Sequence, residues 1–128
     1  GNVEPVTSSA HFTEDELKCK FSGEKGMNWA FMQKLEALRL EWGKPMHLSS
    51  AYRSSEHPAE RAKSSPGYHH GKSAEGGGEA VDVLIDRGEA VEFLRLAIKY
   101  FNGIGISQKG ERRFIHLDNR EHPMIWSY

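Results

Sequence analysis

The sequence predicts an α+β fold, a small antiparallel sheet with helices packed on one side. Two patterns predict it. Residues 79–86 and 112–118 are rich in aliphatic and β-branched side chains, as strands are. In the second stretch Phe114, His116 and Asp118 fall on one face, Ile115 and Leu117 on the other. Elsewhere Phe31, Leu35, Leu38 and Trp42, and again Val91, Leu94, Ile98 and Phe101, recur at helical spacing. With 128 residues the chain is expected to form one domain, residues 11–128, behind a loose polar segment at 1–10.

The elements follow in order. Thr13 to Glu16 reads as a capping box opening a short helix to about Cys19, which Ser22 to Gly26 breaks. Asn28 caps a second helix, Trp29 to Trp42, stopped by Gly43 and Pro45. Residues 46–52 read as the first strand. Residues 54–78 form a long irregular stretch with a short helix at 59–63, expected to wall a substrate cleft. The strand at 79–86 leads into a helix from about Arg87 to Phe101, closed by Asn102-Gly103. Ile104 to Ser107 is a third strand, Gln108 to Glu111 a hairpin turn, and the fourth strand returns through His116. The tail from Met124 to Tyr128 is apolar enough to pack back on the domain.

Composition excludes several classes. Charged residues make up 27% and hydrophobic ones 38%, a soluble globular balance. With 17 basic residues against 18 acidic, there is no electrostatic case for nucleic-acid binding. Cys19 is the sole cysteine, so no internal disulfide or thiolate metal cluster is expected. No apolar run approaches membrane-spanning length and no signal peptide opens the chain, so no membrane partner is expected and the compartment stays open. A monomer is the expected state.

Asp82 and His116 can point to the same side of a sheet if their strands are neighbours, and both residue types are ordinary zinc ligands. Taken alone, the pair reads first as a turn-capping aspartate and a hydrogen-bonded sheet histidine.

Ser73, Gly78, Ala80 and Asp82, followed by His116 and Asp118, match S-x-H-x-x-G-x-A-x-D and H-x-D. These are motifs of the zinc D-alanyl-D-alanine carboxypeptidase and L-alanyl-D-glutamate endopeptidase family, which shares its fold with the Hedgehog signalling domain. Ser50-Ala51-Tyr52-Arg53-Ser54 resembles that family's S-x-Y-R-S, and His11 to Cys19 the leader helix of its phage-borne members. The resemblance covers about residues 10–128. It implies one zinc ion held by Asp82 and His116, a peptidoglycan peptide as substrate, and a phage or cell-envelope setting. It also implies substrate contacts from Arg53, Tyr52 and Trp126.

Two positions depart from the pattern. The family's first histidine falls on Glu75, in register with Ser73-Ala74. A site of two carboxylates and one histidine would blunt the metal's acidity. His69 or His70 is the alternative ligand: setting aside residues 70–75 leaves His69 at the family's spacing from Asp82, with the intervening residues bulging out. A site with no functional metal is the third possibility. The acid that several members carry three residues before the last histidine is here Arg113, which cannot accept a proton. Glu111, or Glu75 with a loop histidine on the metal, is the substitute base, while Asp118 has the parity of a group that orients an imidazole or an arginine. Glu75 and Arg113 together raise the alternative of an impaired member kept as a binding module.

Overall fold

A computed structural model describes residues 6–24, 26–54, 67–71 and 77–128. Its elements are α1 (Glu14–Leu17), α2 (Trp29–Trp42), β1 (Leu48–Ser50), β2 (Ala80–Leu84), α3 (Arg87–Ala97), β3 (Gly103–Ser107), β4 (Phe114–Asp118) and β5 (Met124–Ser127). The expected short helix at 59–63 and Glu75 lie outside the described residues. The strands form one five-stranded sheet in the order β1-β2-β4-β3-β5.

The predicted caps form. Thr13 and Glu16 make the reciprocal capping box of α1. The Asn28 side chain accepts from the Phe31 amide, and Gly43, left-handed at φ 69°, ends α2. Phe31, Leu35, Leu38 and Trp42 are buried as predicted. They meet Val81, Val83, Ile115, Leu117 and Ile104 from one face of the sheet, and this layer is the core.

Four expectations are corrected. The sheet is not wholly antiparallel, because β5 joins β3 in parallel. The tail therefore packs back as an edge strand held by backbone hydrogen bonds. Met124, Ile125 and Tyr128 stay exposed and only Trp126 is half-buried. On α3, Val91 and Ile98 face solvent, while Ala90, Phe93 and Ala97 are buried. Two apolar stripes at helical spacing overlap in that sequence, and the larger Phe93 ring wins by packing edge-on against Trp42, centroids 5.3 Å apart. Finally, the opening segment is tied down at Val6, which exchanges backbone hydrogen bonds with Met27.

The register positions the site. Opposite one another stand Asp82 and His116, then His116 and Gly105, then Gly105 and Trp126. Since Val81, Val83, Ile115 and Leu117 take the core face, alternation sends these four residues to the other face. A bulge between Leu48 and Ser50 brings Ser50 opposite Asp82 as well.

Candidate metal centre

Asp82 and His116 are buried neighbours on adjacent strands, with His116 Nδ1 and Asp82 Oδ1 3.0 Å apart. The third member is His69. Its Nε2 lies 3.4 Å from the same Asp82 oxygen, and the three ligand atoms fall within 4.8 Å of one another. Of the alternatives left open by the sequence, His69 thus joins the pair. His70 turns its Nδ1 to the Arg53 carbonyl at 3.0 Å and its ring toward Tyr52.

His69 arrives on a turn laced to both neighbouring strands. The Arg53 amide donates to the His69 carbonyl, and the Glu79 amide to that of Tyr68. The backbones of Gly71 and Gly77 also meet: a Cβ on Gly71 would lie 2.0 Å from the Gly77 carbonyl oxygen. Residues 71 and 77 therefore lie side by side. This contact brings His69 beside Asp82 and His116 despite its distance from them in sequence.

Each side chain is held from behind. A carbonyl can only accept, so the 2.7 Å contact between His69 Nδ1 and Ala51 O places the proton on Nδ1. In neutral His69, Nε2 then carries a lone pair facing a carboxylate oxygen. Burial pushes the His69 pKa down, against the pull of Asp82, so the neutral form is favoured. A cation placed between these two acceptors would satisfy both. Burial also opposes ionisation of Asp82, yet the facing imidazoles of His116 and His69 hold its carboxyl well below the usual range. His116 moves the other way: burial disfavours its charge, but Asp118 and Asp82 outweigh that and raise its pKa.

Behind His116, the Nε2 proton goes to Asp118 Oδ2 at 2.8 Å. Asp118 is fully buried and accepts three more hydrogen bonds, all from Arg120: backbone N at 3.1 Å, Nε at 2.9 Å and Nη2 at 2.7 Å. A carboxylate offers about four lone-pair sites, so Asp118 keeps none to take a proton from water. Its expected role as an orienting group fits this geometry, and the arginine concerned is Arg120.

The donor set fits a divalent metal. Tetrahedral zinc with bonds of about 2.0–2.1 Å sets its ligand atoms roughly 3.3 Å apart. The pairs measured here are 3.0 and 3.4 Å. Imidazole nitrogens whose other N–H is held by a carbonyl or a carboxylate are the usual outer arrangement of such sites. With His69 as third member, the cluster offers one carboxylate instead of two.

Arg53 stands beside this group, donating Nε to Ser50 Oγ at 3.1 Å with Nη2 3.4 Å from Asp82 Oδ2. The Trp126 ring lies 5.3 Å from that of His116, and Tyr52 is half-buried beside His70. Glu111 is not brought in. It is exposed in the turn ahead of β4, lining a depression with Asp86 and Arg113, and Arg113 pairs with Asp86 at 3.4 Å.

Sequence reasoning missed Arg120, Tyr68 and the glycines of β3. Period-two alternation carried two residues past Asp118 would have put Arg120 on the face of His116. A Cβ on Gly103 would lie 1.8 Å from Asp118 Oδ1, and one on Gly105 2.8 Å from the Trp126 ring. Both positions make room for the cluster.

A family model described as Peptidase M15 matches residues 10–118, which contain all three ligand candidates. No curated protein matches the chain.

Proposed function

The chain belongs to the peptidase M15 family, whose metallopeptidases depend on zinc, and from that premise we propose that it is a zinc peptidase hydrolysing amide bonds of bacterial cell-wall peptides. A phage lysis or tail protein is the setting that suits this substrate. The observation that carries the reading is the convergence of His69 Nε2, Asp82 Oδ1 and His116 Nδ1 within 4.8 Å, each side chain buried.

Bound zinc supplies Lewis acidity, polarising an amide carbonyl and making water nucleophilic near neutral pH. The protein's own groups do the rest. Ala51 O and Asp118 fix the tautomers of His69 and His116, so that both present a lone pair. Arg53, anchored by Ser50, sits where its fork can take a peptide carboxylate or steady a carbonyl oxygen. Tyr52 and Trp126 flank the substrate. A depression of about 410 Å³ lined in part by Tyr68, Asn119 and Arg120 offers the peptide further room. The proton acceptor in this scheme is Glu75, released from ligand duty by His69.

A second reading has its own observation. Arg113, where several members carry an acid, is engaged with Asp86 and with the Gln108 carbonyl. This favours an impaired member that binds cell-wall peptides without cutting them. One experiment separates the two: zinc content of the purified chain, and release of fragments from purified cell-wall peptides, for wild type, Asp82→Ala and Glu75→Gln. The peptidase reading expects about one zinc per chain, turnover by wild type, and none by either variant. Bound zinc without turnover in wild type supports the module, and a wild type that takes up no zinc defeats the peptidase reading.

A further inference from the structure

We propose that Arg120 is the positioning residue of this centre, acting through Asp118 to fix which nitrogen of His116 faces the cation. The inference rests on the zinc reading above. Asp118 alone does not dictate the ring's orientation, because a bare carboxylate can accept a proton donor from several directions. Arg120 removes that freedom. Its backbone N and Nε fill Oδ1, and Nη2 takes one side of Oδ2. One acceptor direction is left, and His116 Nε2 occupies it at 2.8 Å. With Nε2–H committed, Nδ1 is the nitrogen turned to Asp82 and the metal position.

Arg120 is itself held on three sides. Its guanidinium carbon lies 4.8 Å from the Tyr68 ring centre and 4.5 Å from that of Trp126. Its Nη1 reaches Met124 Sδ at 3.3 Å. Two of these three partners belong to β5, so the parallel edge strand, whose other apolar side chains are exposed, has its inward contacts on this arginine and on His116. Gly103 completes the seat by leaving the space that the Asp118 carboxylate occupies. Lysine would not substitute. A point charge on a flexible stem can pair with Asp118, but it cannot fill Oδ1 and Oδ2 at once while lying flat between two rings. Arg53 differs in kind, since its fork meets Asp82 itself.

The test compares full-length wild type, Arg120→Met and Arg120→Lys. Zinc affinity is read by competition with a chromogenic chelator, and the His116 Nε2 proton by long-range nitrogen–proton NMR of the zinc-loaded chain. The methionine variant is expected to bind zinc about 10–100-fold more weakly and to lose the exchange-protected imidazole resonance. The lysine variant, which keeps charge and stem and so guards against misfolding, should recover the fold but not the resonance. Wild-type affinity together with a wild-type resonance in both variants would overturn the positioning role, even if their zinc-free forms melt earlier. A wild-type chain without zinc affinity would instead remove the zinc reading, and this inference with it.

Discussion

Replacing Gly103 with alanine should disable the centre from behind without touching a ligand. The added Cβ would sit 1.8 Å from Asp118 Oδ1, 2.2 Å from Cγ and 2.5 Å from Oδ2. Ordinary contact needs roughly 3.5 Å or more, so the carboxylate must leave its place. It is fully buried, and moving it breaks the Arg120 pair and strips His116 Nε2 of its acceptor. Breaking a buried pair costs about 3–5 kcal/mol. Arg120 keeps 20% of its side chain exposed, which argues for the lower end, about 3 kcal/mol. At about 2.1 cal/mol/K per residue, a chain of this length loses roughly 4 °C of Tm per kcal/mol, so Gly103→Ala should melt about 11 °C early. Gly105→Ala is the control. Its Cβ would meet the Trp126 ring at 2.8 Å, but that ring stands half-exposed on an edge strand and can swing outward. The cost there should be about 1 kcal/mol. Circular-dichroism melts of the zinc-free chains measure both. A Gly103→Ala protein that melts with wild type, or a Gly105→Ala protein that melts earlier than Gly103→Ala, would refute the reasoning.

Other outcomes follow from the same geometry. Zinc at 100 times its Kd should stabilise wild type by about 2.7 kcal/mol, close to 10 °C. His69→Ala, roughly 100-fold weaker for zinc, should keep only a degree or two of that shift, and Glu75→Ala should keep all of it; the reverse pattern would move the third ligand to Glu75. Away from the site, Glu36 accepts from Ser9 Oγ and from the His11 amide. Burial opposes its ionisation, yet these donors hold its pKa below the ordinary value of 4.5. A depressed carboxyl stabilises the fold above its unfolded pKa and loses that stability as pH falls through the folded one. Urea melts should therefore show wild type ahead of Glu36→Gln at pH 7 and the gap closing below about pH 4; a gap unchanged at pH 3 would contradict this.

Much of the frame was legible because local chemistry dictated it. Asn28 and Gly43 bracket α2 by capping and handedness, which need no tertiary partner. Asp82 and His116 were readable because strand alternation fixes facing once the two strands pair. The third member of the cluster was harder. Ser73-Ala74 puts Glu75 in the expected register, whereas His69 reaches the site through the contact of Gly71 with Gly77, which no short window of sequence contains. The same limit explains α3, where the choice between Val91 and Phe93 turned on Trp42 from another helix. It explains β5 as well, since a parallel pairing with β3 leaves no turn signal between them. Arg120 was within reach of alternation, but its value appears only once Asp118, Tyr68 and Trp126 surround it.

The most direct measurement is the anomalous difference density of a zinc-loaded crystal, recorded on both sides of the zinc absorption edge. A single peak bonded to His69 Nε2, Asp82 Oδ1 and His116 Nδ1 is the predicted result. A peak that omits His69, or one bonded elsewhere on the chain, would contradict it.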